Sequence, residues 1–476
     1  MKHTHAIHPL LLNIFAAAGI ALAPMAAMAA VPDAAAEAAA PVIHTDRLIV
    51  KYKDTSPAVM RKGKAVSAQA VAMSSARKAI VDRAGQQVGV LLSHSHRIAS
   101  GADILQINRR VSPAEASALA AELMARDPSV EYAEPDTIMV PMMTPTDTYY
   151  NQQWHYFETA GGLRLPAAWD KASGTGVKVA VIDTGYRPHV DLSGQILAGY
   201  DFISNLSTAA DGNGRDSDAS DPGDSTTQNQ CGAGVPARSS SWHGTHVAGT
   251  VAARTNNGAG VAGVAYNAKV VPVRVLGKCG GYTSDIADGI IWASGGAVAG
   301  VPANANTAKV INMSLGGGGA CGSTTQNAIN GARSRGTVVI IAAGNSNTNV
   351  SGFTPANCAG VVAVAAVGRT GGKASYSNYG ALVDVAAPGG DGVSTDRVLS
   401  TLNNGTTTPG ADVYAWYQGT SMAAPHVAGV AALMLSKNGT LTPDQIEATL
   451  KSTARAFPAA CSQCGTGIVD ANAAVQ

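Results

Sequence analysis

The C-terminal two-thirds of the chain alternate short apolar runs, rich in β-branched residues, with longer stretches of helical periodicity. The apolar runs are continuous, which is typical of strands that are buried on both faces of a parallel sheet. Helices from the intervening stretches then cover both faces. The sequence therefore predicts an α/β fold with a mostly parallel central sheet. The runs and helical stretches are, in chain order, Val177–Ile182, 243–253, Val270–Val275, 284–298, Lys309–Met313, 324–335, Thr337–Ala343, Val361–Val367 and 421–436.

The composition indicates a globular protein with a large packed core and a lightly charged surface. Hydrophobic residues make up 46% of the 476 residues, and charged residues make up only 14%. The formal net charge is +1, which provides no electrostatic basis for binding a nucleic acid or an anionic membrane. We therefore expect neither among its partners.

The N-terminus has the features of an export signal. Lys2 precedes an apolar run over Leu10–Leu22, and small residues follow it. A basic start, a short apolar stretch and an Ala-x-Ala ending are typical of a secretory signal peptide, here residues 1–30. A membrane anchor is the alternative, but Asn13 and Pro24 interrupt a run that is already short. The sequence therefore predicts a secreted, extracellular protein without a membrane anchor.

Residues 42–142 have the pattern of a small domain of their own, and an Ala-rich linker over 31–41 precedes it. Apolar residues of period two at Leu48–Val50 and Ile104–Ile107 indicate strands, and helical periodicity follows each run. This β-α-β-α-β-like order predicts a small α+β domain of the ferredoxin-like kind.

All six cysteines lie in the C-terminal part of the chain. In an exported protein an even count predicts disulfides, although the sequence alone leaves their pairing open. The last two form a Cys-x-x-Cys motif that could instead bind a metal or perform redox chemistry. No second ligand pair accompanies this motif, so a structural disulfide is the simpler interpretation. Nearest-neighbour order gives the pairs Cys231–Cys279, Cys321–Cys358 and Cys461–Cys464.

Four polar residues occupy positions at which strands and helices present reactive groups. Asp183 follows a buried strand, as does Asn345, and open α/β sheets place their active sites at the carboxyl ends of strands. His243 begins a helix of small residues, and Ser421 begins an apolar helix directly after a glycine turn. The positive end of the helix dipole favours a reactive hydroxyl at the Ser421 position, at the start of its helix. Each residue taken alone also has a simple structural explanation, such as a turn or capping residue.

Other catalytic patterns do not fit these segments. Ala423 replaces the second glycine of a Gly-x-Ser-x-Gly elbow. His243 and His246 are three residues apart and lack the Glu of a zinc-binding helix.

The four residues follow one another in the order Asp, His, Asn, Ser, and Asp…His…Ser is the order of the subtilisin triad. The segments around them resemble the signature blocks of the subtilisin-like serine proteases (subtilases), and the similarity extends over about residues 160–470. The segment 42–142 resembles, more loosely, the inhibitory propeptide of that family. The resemblance implies a subtilisin-like three-layer fold and a serine endopeptidase of broad specificity.

The resemblance also implies roles that acyl transfer to serine requires. Ser421 would be the nucleophile and His243 its general base, while Asp183 would hold the His243 tautomer. Asn345 would donate to the oxyanion together with the Ser421 backbone N–H.

In the family, peptide substrates bind as an added strand, a mode that tolerates many sequences. The pocket for the substrate residue that precedes the scissile bond would have small, glycine-rich walls, which predict room for a large apolar side chain. The substrate-binding residues implied by the resemblance are Ser314, Leu315, Gly316 and Gly344.

Calcium is the cofactor that the resemblance implies, as a structural ion. Asp147, Asp191 and Asn257 match its ligand positions, and the loop around Asn257 would add carbonyl oxygens. An Asp-rich loop is a second candidate cation site, and a solvated acidic turn is its alternative explanation. Its candidate ligands are Asp211, Asp216 and Asp218.

Maturation is also implied by the resemblance. The propeptide would serve as a folding template and an intramolecular inhibitor, with self-cleavage near Met142–Met143 and a peptidase domain over 143–476. The expected partners are protein and peptide substrates, and the expected state is a monomer. Two alternatives remain open, which are a catalytically silent scaffold on the same fold and an esterase with the same triad.

Overall fold

The computed structural model describes residues 45–53, 73–137 and 144–476. These residues form two compact units, the smaller one ending before residue 142 and the larger one following it. The predicted signal peptide, the Ala-rich linker and the expected cleavage position at Met142–Met143 lie outside the described residues.

The smaller unit has the order β-α-β-β-α-β, with one more strand than the periodicity indicates, and this is the element order of ferredoxin-like folds. Its antiparallel sheet has the order β2-β3-β1-β4. The second helix begins with a capping box between Ser112 and Glu115, which satisfies two backbone N–H groups at its start. The elements are β1 Thr45–Tyr52, α1 Ser75–Val88, β2 Leu92–Arg97, β3 Asp103–Val111, α2 Pro113–Arg126 and β4 Val130–Pro135.

The larger unit is built on a seven-stranded sheet of order β13-β12-β10-β8-β5-β7-β6. Every pair of neighbours in this sheet is parallel. The predicted α/β class with a mostly parallel sheet is therefore confirmed. The strands of this unit are β5 Lys178–Asp183, β6 Tyr200–Asp201, β7 Lys269–Arg274, β8 Val310–Met313, β9 Gly317–Gly318, β10 Val338–Ala342, β11 Phe353–Thr354, β12 Val362–Val367, β13 Val385–Pro388, β14 Val398–Asn403 and β15 Asp412–Tyr417.

Helices cover both faces of this sheet. Side chains along each strand point alternately to the two faces, and on each face they form a hydrophobic cluster with the helices that pack there. In β5, Val179 and Val181 pack in one cluster with Val427, while Ala180 and Ile182 belong to the other. The first cluster includes residues of α6, α9 and α10, and the second includes residues of α7 and α8. The helices of this unit are α3 Trp154–Phe157, α4 Leu165–Trp169, α5 Leu206–Ala209, α6 His243–Ala252, α7 Thr283–Ala293, α8 Ser323–Ser334, α9 Thr420–Lys437, α10 Pro443–Ser452 and α11 Ala471–Ala474.

The helix predicted over 284–298 ends earlier, at Ala293. Gly295, just beyond its C-cap, has φ = 90°. A left-handed glycine at this position terminates a helix at low cost.

Two small antiparallel sheets flank the main one. β9 pairs with β11, and β14 pairs with β15. Among the described helices, none combines the length and the apolar character needed to cross a membrane.

Candidate active site

Two of the predicted catalytic residues lie at the carboxyl ends of strands of the central sheet. Asp183 is the last residue of β5, and Asn345 follows β10 by three residues. β8 lies between these two strands. The chain passes from β7 on one side of β5 to β8 on the other. Such a change of direction opens a crevice at the strand ends, where open α/β sheets bind ligands.

Asp183 and His243 are joined by a buried hydrogen bond. His243 is the first residue of α6, and its Nδ1 lies 2.7 Å from Asp183 Oδ1. Asp183 is fully buried, and the same oxygen accepts from the Thr184 backbone N–H at 2.8 Å. A β-carbon at Gly244 would lie 2.0 Å from the carbonyl oxygen of Gly185. Only glycine at 244 therefore allows α6 to begin this close to the end of β5.

The electrostatic environment of His243 favours its protonated form. Burial lowers the pKa of His243, but the Asp183 carboxylate, its hydrogen bond and the charges of Asp224 and Asp221 outweigh this effect. The net result is a pKa above the ordinary histidine value. A base with a raised pKa is well suited to hold a proton taken from a hydroxyl.

Trp242 holds the start of α6, a role that the sequence does not indicate. Its φ of 48° lies in the left-handed region, which a large side chain seldom adopts. Its carbonyl accepts from the backbone N–H groups of Thr245 and His246 at 3.1 and 3.3 Å. The indole is 1% exposed, and its Nε1 donates to Gly405 O at 2.7 Å. The surrounding packing thus fixes a strained backbone directly before His243.

Ser421 lies in the first turn of α9, which packs against α6. Its Oγ donates to the carbonyl oxygen of Ser314 at 3.3 Å, and the residue is 5% exposed. Pro425 lies inside the helix and has no N–H to donate to the Ser421 carbonyl. Ser314 Oγ donates to that carbonyl instead, at 2.8 Å. Ser421 is thereby tied to the segment that follows β8.

The orientation of the Asn345 side chain is fixed by the start of α9. Asn345 Oδ1 accepts from the Thr420 backbone N–H at 2.8 Å and from Thr420 Oγ1 at 2.9 Å. Thr420 Oγ1 in turn accepts from Gly344 N at 3.1 Å. Because the amide oxygen is engaged in this way, the NH₂ group is the part that can donate to a ligand.

The predicted substrate-binding segments leave two adjacent strands. Ser314, Leu315 and Gly316 follow β8, and Gly344 follows β10 with φ = 104°. The aromatic ring of Phe353 contacts both of these segments, at Gly316 and at Gly344. The sequence does not indicate this contact, because Phe353 lies in β11, 37 residues beyond Gly316.

The predicted calcium ligands Asp147, Asp191 and Asn257 lie together. Asp191 Oδ1 accepts from Asn257 Nδ2 at 2.7 Å, and its Oδ2 accepts from Val261 N at 2.8 Å. Asp147 Oδ2 accepts from Asn256 N at 2.8 Å. Its Oδ1 is buried and has no hydrogen-bond partner within the described part of the chain.

Burial raises the pKa of Asp191 to about 7 and also raises that of Asp147. No group of three or more His, Cys, Asp or Glu residues with the geometry of a metal site occurs within 45–53, 73–137 and 144–476. A cation here would therefore need amide and carbonyl oxygens in addition to the two carboxylates.

In the Asp-rich loop the carboxylates bind protein groups. Asp211 Oδ2 accepts from Arg274 at 2.5 Å. Asp216 Oδ1 accepts from the Asp218 N–H at 2.7 Å, and Asp218 Oδ1 accepts from the Ser220 N–H at 2.9 Å. These contacts are those of an acidic turn, and cation binding by this loop stays a prediction.

The cysteines are joined in nearest-neighbour order, with disulfides at Cys231–Cys279, Cys321–Cys358 and Cys461–Cys464. The second disulfide links the loop after β9 to the loop after β11. The third engages both sulfurs of the Cys-x-x-Cys motif, as expected of a structural bond.

A three-layer α/β fold, with an Asp–His pair and a helix-borne serine at the ends of its strands, defines a serine peptidase of the subtilisin class. The subtilase family model matches residues 174–467, and the chain belongs to that family. It is a subtilisin-like serine-type endopeptidase.

Two relatives match over most of the chain. One is the extracellular protease of Xanthomonas campestris pv. campestris, 58% identical over 431 residues, which cover 90% of this chain and 72% of that protein. The other is the extracellular basic protease of Dichelobacter nodosus, 45% identical over 441 residues, covering 90% of this chain and 70% of that protein.

The fold is similar to that of solved subtilisin-like enzymes. A protease of Pseudoalteromonas arctica is 68% identical, with a TM-score of 0.69, covering 70% of this chain and 99% of the other. Fervidolysin from Fervidobacterium pennivorans, described as a keratinolytic enzyme related to subtilisin, is 27% identical, with a TM-score of 0.52. That match covers 91% of this chain and 61% of the other.

Proposed function

We propose that this chain is a secreted endopeptidase of broad specificity in which Asp183, His243 and Ser421 form the catalytic triad. The observation that carries the proposal is the 2.7 Å hydrogen bond between buried Asp183 and His243, at the start of a helix that packs against the Ser421 helix. The names of the two extracellular relatives support secretion.

Catalysis proceeds by acyl transfer to Ser421. His243 Nε2 takes the hydroxyl proton as Ser421 Oγ bonds to the scissile carbonyl carbon, and the carbonyl oxygen becomes an oxyanion. The C–N bond then breaks, and His243 gives its proton to the leaving amine. Water, deprotonated by His243, hydrolyses the acyl ester and restores the Ser421 hydroxyl.

Asp183 and Asn345 assist these steps without forming covalent bonds to the substrate. Asp183 accepts from His243 Nδ1, which places the unprotonated nitrogen toward the nucleophile and stabilises the imidazolium. The NH₂ group of Asn345 donates a hydrogen bond to the oxyanion, and the Ser421 backbone N–H is the second hydrogen-bond donor. Ser314, Leu315 and Gly316 offer an extended edge along which the peptide adds as a strand.

Calcium is proposed as a structural ion held by Asp147, Asp191 and Asn257. The fit rests on the buried Asp147 Oδ1, which has no hydrogen-bond partner among the described residues, and on the second buried carboxylate beside it. Oxygen donors of this kind suit a hard cation, which also takes amide and carbonyl ligands. The ion would offset the cost of burying the two carboxylates.

The smaller unit is proposed as a propeptide that guides folding, inhibits the enzyme and is removed by self-cleavage near Met142–Met143. The element order of this unit supports an independent domain. We expect the Ser421→Ala variant, expressed in an oxidising compartment, to accumulate as an unprocessed precursor. Its maturation without added protease would refute autoprocessing.

Casein hydrolysis tests the proposed activity. The matured protein should cleave casein, and a serine-directed phosphonate should abolish the cleavage. Ester hydrolysis without casein hydrolysis would favour an esterase, and the absence of both would favour a silent scaffold.

A further inference from the structure

The space for the side chain that precedes the scissile bond is defined by the two segments beside Ser421. β8 and β10 are adjacent parallel strands, and their chains separate after Met313 and Ala342. The first segment contacts the nucleophile through Ser314 O, 3.3 Å from Ser421 Oγ. The second ends at Asn345, which is bonded to the start of the Ser421 helix.

A substrate carbonyl carbon attacked by Ser421 Oγ, with its oxygen directed to Asn345, lies between these segments. The α-carbon of that substrate residue is one bond away, so its side chain enters the cleft between Ser314–Gly316 and Ala343–Asn345. Glycine at 316 and at 344 removes two β-carbons from the walls of this cleft.

Phe353 occupies the space that these two glycines leave. A β-carbon at Gly316 would lie 2.5 Å from Phe353 Cε1, and one at Gly344 would lie 2.8 Å from both Cε1 and Cζ. The same edge of the ring therefore contacts both walls. The ring fits there because neither Gly316 nor Gly344 has a β-carbon.

The loop that carries Phe353 is attached firmly to one of the walls. Phe353 pairs with Gly318, in the short sheet of β9 and β11. Gly319 N donates to Gly352 O at 2.8 Å, and Asn357 Nδ2 donates to Gly319 O at 2.9 Å. The Cys321–Cys358 disulfide joins the same two segments. Displacing the ring would require breaking several of these contacts together.

We propose that Phe353 is a specificity-determining residue that shortens this cleft, so that the enzyme cleaves after small side chains such as alanine. This rests on the proposed function and names its substrate class. A large aromatic side chain would meet a ring already packed against both walls, and close-packed sites tolerate added volume poorly. The chain thus differs from the expectation, based on its glycine-rich walls alone, of room for a large apolar residue.

The test compares tetrapeptide p-nitroanilides that differ only in the last residue, alanine or phenylalanine. The readout is the ratio of kcat/KM for the two substrates within one enzyme preparation, which a loss of folded protein does not change. Wild type should favour alanine, and Phe353→Ala should shift the ratio toward phenylalanine by at least about tenfold, the scale on which apolar pockets discriminate. Phe353→Leu should give a smaller shift in the same direction.

Phe457→Ala is the matched control, because Phe457 is also half-buried and packs against the same hydrophobic cluster. It should leave the ratio unchanged. A wild-type preference for phenylalanine, or an unchanged ratio in Phe353→Ala, would overturn the inference. If casein hydrolysis and phosphonate labelling are retained in that case, the proposed function still stands. Loss of both of those in the wild type would instead overturn the proposed function and the inference with it.

Discussion

The oxyanion role of Asn345 gives a quantitative prediction. The donor to the oxyanion is the NH₂ group, since Asn345 Oδ1 is engaged by the Thr420 N–H and hydroxyl at 2.8 and 2.9 Å. Replacing Asn345 by Ala removes this donor and leaves the triad in place. Loss of one oxyanion donor typically costs about 2.7–4 kcal/mol, or roughly 10²–10³ in kcat.

Two further variants separate donation from positioning. Asn345→Asp keeps an oxygen that can accept from Thr420 but has no NH₂ group, so its kcat should fall at least as far. Thr420→Val keeps the donor and removes one of the two hydrogen bonds that orient it. A hydrogen bond contributes about 0.5–1.5 kcal/mol net, so this loss should reduce kcat by roughly two- to tenfold.

The assay is steady-state hydrolysis of an alanyl p-nitroanilide by enzyme whose active sites have been titrated, with thermal unfolding as the folding control. Because the donor acts in the transition state, kcat should fall while KM changes little. An Asn345→Ala variant with nearly wild-type kcat, or an active Asn345→Asp variant, would show that Asn345 is not an oxyanion donor.

Three other perturbations follow from the same geometry. Asp191→Asn should lower the Tm measured in calcium and abolish the decrease in Tm that EDTA causes in the wild type. The reason is that a ligand at about 100 times its Kd stabilises the folded state by about 2.7 kcal/mol. An equal effect of EDTA on both proteins would contradict the calcium proposal. Trp242→Phe leaves Gly405 O without its indole donor and should cost about 1–3 kcal/mol of stability by denaturant unfolding; no change would count against the anchoring role. Asp183→Asn should lower kcat by about 10⁴. It should also shift the acid limb of the pH profile of kcat/KM to lower pH, because it removes the carboxylate that raises the pKa of His243. A shift of this limb to higher pH would contradict the assignment of Asp183.

The sequence predicts the parts of the fold that have a clear period. The run Val177–Ile182 becomes β5 almost residue for residue, and the helix predicted over 243–253 ends at Ala252. Buried parallel strands are continuous and apolar, which distinguishes them from loops. The two-residue strands β6, β9 and β11 are too short to show any period, and the sequence does not indicate them.

The candidate site shows the same division. Asp183, His243 and Asn345 are recognisable because each stands at the end of a periodic element. Trp242 and Phe353 are not, because their roles depend on contacts that are distant in sequence. Trp242 is held through Gly405, and Phe353 packs against Gly316 and Gly344. No local pattern encodes such contacts.

The proposed role of Ser421 as the nucleophile is tested by treating the matured protein with a serine-directed phosphonate and locating the modified residue by peptide mass spectrometry. We predict a single adduct on Ser421, formed in proportion to the loss of casein hydrolysis and absent from the Ser421→Ala variant. An adduct on another residue, or casein hydrolysis by that variant, would show that Ser421 is not the nucleophile.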